Sequence, residues 1–352
     1  MTEQNQQGGG PDRRDFLHAG LAGTGLALTA GLAAADQPLE LSNTGPDQVP
    51  RKPFGKSGEK VSILGIGGHT LGLAPTKAEA IRIVHEAIDA GVTFMDNAWE
   101  YHKGRSEDWM GEALEKRRKQ VFLMTKVCSH GRDKKVALLQ LDESLKRLRT
   151  DYLDLWQVHE VVYWNDPDLH FAKGGFIEAL DEAKKAGKVR FVGFTGHKHP
   201  DIHLKMLAHH YPFDAVQMPL NPFDATYRSF GHKVLPELLK LGIAALGMKS
   251  LGGDGRPVVK GVVTVEEALR YAMSLPVATT ISGIDSLTVL RQNLAITRGF
   301  KPMTAREMSA LAERCAKSAG DGHLELYKST MRYEGDEGRE QHGFPLQQKM
   351  PV

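Results

Sequence analysis

A chain of 352 residues, 41% apolar and 25% charged, has a globular composition with enough material for one large core. Its formal net charge of +2 removes any bulk electrostatic case for nucleic acid. Two cysteines, Cys128 and Cys315, are too few for a disulfide framework or a four-thiolate cluster.

Residues 1–10 are polar and rich in Gln and Gly. Arg13-Arg14-Asp15-Phe16-Leu17 follows, then a weakly apolar Ala/Gly/Leu run from Ala19 to Ala35 that closes on three alanines. Paired arginines, a short apolar region and a small-residue cleavage site are the parts of a twin-arginine export signal. Gly20, Gly23, Gly25 and Gly31 interrupt the run, which is short and poor for a spanning helix. The expectation is a signal peptide over 1–35, read by the twin-arginine export machinery. The mature protein would be periplasmic, with no stable membrane span after cleavage.

Residues 36–50 form a polar Pro/Asn/Gly/Asp linker without periodicity and are expected to be unstructured. Arg51 to Val61, with Gly55, Ser57 and Gly58, reads as a short hairpin under the fold. Apolar runs of strand length then alternate with amphipathic stretches. Strands are predicted at 62–67, 93–97, 121–127, 153–159, 191–195, 215–218, 244–248 and 279–282. Helices are predicted at about 76–90, 105–117, 133–148, 176–186, 201–209, 231–241, 265–274 and 287–298. Eight strand–helix repeats predict a closed parallel (β/α)8 TIM barrel over 51–319, with an extra C-terminal helix at 304–319 and an irregular tail at 320–352. Ile63-Leu64-Gly65-Ile66-Gly67-Gly68 lacks the spacing of a dinucleotide-binding Gly-x-Gly-x-x-Gly, so a Rossmann domain is not expected.

The polar residues that end these strands stand where a β/α barrel places its chemistry. Asp96 ends Thr93-Phe94-Met95, Lys126 ends 121–125, His159 ends 153–158, and Tyr101 follows Asp96 on the next loop. Together they suit proton delivery to a carbonyl oxygen during its reduction. A free phenol, with pKa about 10, holds its proton tightly. A lysine beside it favours the phenolate, a carboxylate keeps that lysine charged, and an imidazole orients the carbonyl.

Specific stretches carry a resemblance: Phe94-Met95-Asp96-Asn97-Ala98 with Tyr101, Gly104-Arg105-Ser106-Glu107, Thr125-Lys126-Val127, 149–159 ending in His159, and 187–194. In order and spacing the chain resembles the aldo-keto reductases from roughly Arg51 to Lys317. The resemblance implies an NADP-dependent carbonyl reductase or alcohol dehydrogenase, with NAD also possible. Tyr101 would be the proton donor, Asp96 and Lys126 its tuning pair, and His159 the orienting residue. It also implies that Thr195 and Gln217 hold the nicotinamide carboxamide, although Gly196 stands where the family usually has Asn. Met248 replaces a stacking aromatic ring. Lys249, Ser250 and Leu251 belong to the same loop, and Gly252, Gly253 and Gly255 make its continuation pliable enough to cover a pyrophosphate. Gly283 and Val289 stand where many relatives carry cations for a 2′-phosphate, with Arg291 nearby, and Asn293 matches an adenine contact.

Trp99, His102, Trp164 and Phe223 are expected at the same mouth, against a small-molecule carbonyl or alcohol substrate. His197, His199, His209 and His210 lack a trustworthy ligand spacing and are read as solvated, so no metal is expected. Two alternatives remain. One is a non-catalytic nicotinamide-binding sensor or partner subunit on the same barrel. The other is a hydrolase using Glu100 and Glu160, disfavoured because a side chain after His159 in the strand direction should point away from the centre.

Overall fold

In a computed structural model of the protein, the described residues are 39–349 apart from 43, 44, 46, 47, 129–131, 332, 334, 335 and 342–344. The expected signal peptide therefore lies outside the described residues. A two-stranded antiparallel sheet, β1 (Arg51–Pro53) and β2 (Lys60–Ser62), precedes eight parallel strands. These are β3 (Leu64–Gly67), β4 (Phe94–Asp96), β5 (Phe122–Cys128), β6 (Leu153–His159), β7 (Val189–Thr195), β8 (Ala215–Pro219), β9 (Ala244–Met248) and β10 (Thr279–Gly283). They close in sequence order, β10 pairing with β3 through Thr280↔Leu64 to Gly283↔Gly67. The chain folds as a (β/α)8 barrel with the expected hairpin.

Each strand is followed by an outer helix: α1 (Lys77–Asp89), α2 (Arg105–Leu114), α3 (Lys134–Arg147), α4 (Phe176–Lys185), α5 (Pro200–Leu207), α6 (Leu235–Leu241), α7 (Val265–Ser274) and α8 (Leu287–Arg298). The extra helix is α9 (Ala305–Ala319). Local chemistry fixes where these helices start. The Thr76 side chain accepts from the Glu79 amide at 3.1 Å. Thr264 with Glu267 and Thr304 with Glu307 form reciprocal capping boxes at α7 and α9.

Barrel strands are buried on both faces and so read as continuous apolar runs. Inside the barrel Phe94, Phe122, Met124, Leu155 and Leu246 form one cluster, closed below by Phe54 from the hairpin, whose ring lies 4.7 Å from that of Phe122. Lys52 of β1 is buried and donates to the carbonyls of Met273 at 2.5 Å and Leu275 at 3.2 Å. Burial pulls its ammonium down to about 7.

Two stretches expected to be irregular are partly ordered. Within 36–50, Ser42 bridges to Arg51, and Val49 is buried and donates to the Ala90 carbonyl at 3.0 Å. Beyond α9, residues 326–329 and 336–341 are helical. Among the described residues no helix is long and apolar enough to cross a membrane.

His203 of α5 is buried between Phe194 and Phe230, its ring centroid 5.2 and 4.9 Å from theirs. Burial pulls its pKa down to about 3, against 6.5 in an unfolded chain. Below about pH 6.5 the unfolded chain therefore takes up a proton that the folded chain refuses, and stability falls as pH is lowered towards the folded pKa. His203→Leu should shrink the loss of Tm between about pH 7 and pH 5. Thermal melts of the two proteins in matched buffers check this.

Candidate active site

The C-terminal ends of β4, β5 and β6 deliver Asp96, Lys126 and His159 to one mouth, with Lys126 paired to Gln157 and Cys128 to His159 in the sheet register. Lys126 is almost wholly buried. Its Nζ donates to Asp96 Oδ1, to the Asn97 carbonyl at 2.7 Å and to Tyr101 Oη at 3.3 Å. Burial raises the Asp96 carboxyl above its ordinary value, and Lys126 opposes that rise.

Tyr101 opens a tight turn in which His102 (φ 53°), Lys103 (φ 59°) and Gly104 (φ 87°) are all left-handed. Its ring stands edge-on to His69 at 5.3 Å and to His159 at 5.7 Å. Burial pushes the phenol well above its ordinary value, and the carboxylates of Asp96, Glu100 and Glu160 push it further. This balance is the reverse of the one expected from Lys126 alone. Burial first, and then the three acids, favour the protonated phenol.

Glu160 is the clearest departure from the sequence reading. Continued strand alternation would turn it away from the mouth, but its φ of 53° breaks the alternation, and Glu160 lines the mouth beside His159. Glu100 Oε1 lies against His159 Nδ1. His197, expected at the surface, is buried, with Nε2 3.9 Å from Glu160 Oε1. Burial takes its imidazole down to about 4. His199 is half-buried against the Trp164 ring, and His209 and His210 are exposed.

A cavity of about 310 Å³ carries Asp96, Tyr101, His159, Gln217 and Met248 in its wall. A second, of about 380 Å³, reaches Ser250, Leu251, Asp285 and Asn293. Thr70, Lys249, Gly253, Ser282 and Gly283 line both, so the two make one groove from Asp96, Tyr101 and His159 to the N-terminus of α8. Gln217 is buried with its Oε1 lacking a hydrogen-bond partner among the described residues, while its Nε2 meets Met248 Sδ at 3.7 Å. Asn293 Nδ2 donates to Ser282 Oγ at 3.0 Å. Lys249 is half-buried, its ammonium 5.2 Å from the Tyr327 ring centroid, and burial pulls it to about 8. Thr195, buried at the end of β7, lines neither cavity. Gly196 beside it has a steric cause: a Cβ there would meet the Val161 carbonyl oxygen at 2.4 Å.

The aromatic walls expected for substrate lie elsewhere. Trp99 points outward, donating from Nε1 to Glu143 Oε2 at 2.6 Å. His102 sits behind His69, with Nε2 2.7 Å from its carbonyl. Trp164 is exposed, and Phe223 is buried in the core. The walls come instead from His69 and Tyr333. His69 follows the end of β3, so the strand-end rule could have found it.

Tyr333 arrives on the C-terminal segment, which is anchored by buried charge. Lys328 Nζ donates to Asp224 Oδ1 at 2.6 Å, to Glu325 Oε2 at 2.9 Å and to the Tyr227 carbonyl at 2.9 Å. Arg228 Nη1 donates to the Lys328 carbonyl at 2.7 Å.

The sequence model described as the Aldo/keto reductase family matches residues 63–256, more than half of the chain. The uncharacterized oxidoreductase YqkF of Bacillus subtilis is 24% identical over 324 residues, covering 78% of this chain and 99% of that protein. The holo form of aldo-keto reductase AKR11C1 from Bacillus halodurans superposes with a TM-score of 0.65 at 24% identity, covering 79% of this chain and all of that one. An aldo/keto reductase from Klebsiella pneumoniae, solved in complex with NADP and acetate, has a TM-score of 0.60 at 19% identity, covering 77% of this chain and 95% of that one. These matches agree with the barrel, and the chain belongs to the aldo/keto reductase family.

Proposed function

We propose that this protein is a nicotinamide-dependent carbonyl reductase or alcohol dehydrogenase with Tyr101 as general acid. One observation carries the reading: Asp96, Lys126, Tyr101 and His159 converge at the head of a groove that continues to the N-terminus of α8. When bound, the nicotinamide would supply the hydride. Gln217, with its unsatisfied amide oxygen, fits the carboxamide; Ser250, Leu251 and the start of α8 fit the phosphates. Tyr101 gives its proton to the carbonyl oxygen, and Lys126 and Asp96 fix where the phenol points. His159 meets the same oxygen from the other side.

NADP is the family's habit, but the adenosine end of the groove presents Asp254 and Asp285. Arg291 is engaged with Glu86 at 2.7 and 3.0 Å. We therefore expect NADPH to be preferred over NADH by less than about tenfold, about 1.4 kcal/mol. Glu86→Ala, which frees Arg291, should raise that preference. Steady-state reduction of an aldehyde panel with each cofactor tests this. A large wild-type preference, untouched by the substitution, would show the 2′-phosphate is read elsewhere.

The reading includes export, supported by Arg13-Arg14 and the run 19–35. Changing both arginines to lysine should leave precursor in the cytoplasm, whereas the unaltered chain appears outside it, shortened near Ala35. Nicotinamide cofactor is made in the cytoplasm, so a folded, exported reductase must retain what it carries. Retention is supported by the packing of the 252–255 loop beneath the C-terminal segment, where a Cβ on Gly252 would meet the Leu324 carbonyl oxygen at 2.9 Å. Exported protein that keeps its cofactor through gel filtration supports retention, and cofactor-free protein contradicts it.

A further inference from the structure

The carboxylates at the mouth are each answered. Asp96 accepts from Lys126, Glu100 lies against His159 Nδ1, and Glu160 has His197 at 3.9 Å. Asp254, on the loop after β9, meets Arg256 Nη2 at 3.2 Å. Lys249 is the charge left over. Among the described residues its ammonium has no ion pair or hydrogen bond, only the Tyr327 and Tyr333 rings, whose centroids lie 5.2 and 5.7 Å away.

The chain sets where that ammonium stands. Lys249 follows β9 with a left-handed φ of 55°, and its side chain lines the mouth cavity as well as the one that reaches α8. Two observations put the ammonium in the mouth half. Tyr333, beside it, lines only the mouth cavity. His69, in the same wall, feels it: burial, His102 and Lys249, in that order, pull the His69 imidazole down to about 4. Ser250 and Leu251, which fit the phosphates, line only the other cavity.

We propose that Lys249 determines specificity by binding a carboxylate on the substrate, so that the protein acts on small carbonyl acids such as keto acids, aldehyde acids or sugar acids. The carbonyl end rests on the reductase reading, and the acid end is tested apart from it. An ammonium drawn from water without a counter-ion is costly, and burial already pulls Lys249 to about 8. An incoming carboxylate removes that cost and adds a charge-assisted hydrogen bond. Apart from Met248 and Ile281, the mouth wall offers no long aliphatic side chain to a greasy aldehyde. Its volume of about 310 Å³, shared with the nicotinamide ring, suits a short substrate whose carbonyl meets Tyr101 and His159 while its acid meets Lys249.

4-Hydroxybutyrate and 4-methylpentan-1-ol differ in a carboxylate against an isosteric isopropyl group. Calorimetric titration of each into full-length protein loaded with NADPH reads binding without turnover. The wild-type chain should bind the acid at least about tenfold more tightly. Lys249→Met should remove most of that preference and Lys249→Arg should keep it. Circular dichroism shows whether each variant is folded; if neither folds, the wild-type preference decides, its presence supporting the proposal and its absence overturning it. In turnover, the ratio of kcat/KM for succinic semialdehyde to that for 4-methylpentanal should fall at least about tenfold in Lys249→Met. Fluorescence titration with NADPH separates the two sources of negative charge. If Lys249→Met weakens NADPH binding and leaves the acid preference unchanged, the ammonium serves the cofactor phosphates and the proposal is overturned. Reduction of both aldehydes without preference for the acid overturns it and leaves the reductase reading standing. Acid preference lost in the Met variant, with neither aldehyde reduced, supports the anion site and contradicts the reductase reading.

Discussion

Tyr101→Phe should leave nicotinamide affinity within a few-fold and lower carbonyl reduction by about two to four orders of magnitude. The ring remains to pack edge-on against His69 and His159. The hydroxyl, 3.3 Å from the Lys126 ammonium, is the only part removed. The expectation is specific because the groove and the proton donor are built from different elements. Gln217, Ser250 and Asn293 come from β8, the loop after β9 and α8. Loss of the phenol should therefore lower kcat rather than cofactor binding. Fluorescence titration with NADPH and single-turnover reduction on one preparation separate the two. Near wild-type turnover would remove Tyr101 as the acid.

Lys328→Met should destabilise the protein by about 3–5 kcal/mol, the usual cost of breaking a buried ion pair from one side. Lys328 is fully buried, and its ammonium is shared by Asp224 and Glu325. Burial and the neighbouring Asp224 already raise the Glu325 carboxyl, with Lys328 the cation opposing them. Without it two acids face each other across the seam between the β8 loop and the C-terminal segment. The segment carrying Tyr333 should then become susceptible to protease before the barrel does. Urea midpoints and limited proteolysis read the two effects. Lys317→Ala, at an exposed position of α9, is the control and should change stability by less than about 0.5 kcal/mol.

The barrel was readable because its strands are buried on both faces. Leu153-Asp154-Leu155-Trp156-Gln157-Val158-His159 is predicted and observed over the same residues. Helix starts were readable where Thr264 or Thr304 stands three residues before a glutamate. The site was readable only in part. Strand ends marked Asp96, Lys126 and His159, but one left-handed residue reversed the direction of Glu160, and alternation gives no warning of that. Trp99 looked like a substrate wall until Glu143 and Arg147 of α3 claimed its edge and carbonyl. The C-terminal segment looked like an irregular tail because several of its buried positions are charged: Lys328 holds Glu325 and finds Asp224 about a hundred residues away, a pairing no local pattern displays. Gln217 was legible as a polar intrusion into a barrel layer, whereas Thr195 beside it in the register was assigned to the groove and lies buried outside it.

The most direct test of the central claim is the fate of hydrogen from the cofactor. Purified protein is mixed with NADPH carrying deuterium at the transferable C4 position and an excess of aldehyde, and the alcohol is analysed by mass spectrometry and NMR. The account predicts one deuterium per product molecule, on the former carbonyl carbon, formed by the wild-type chain and slowed by about two to four orders of magnitude in Tyr101→Phe. Alcohol without deuterium, or deuterated alcohol formed equally fast by the Phe variant, would contradict it.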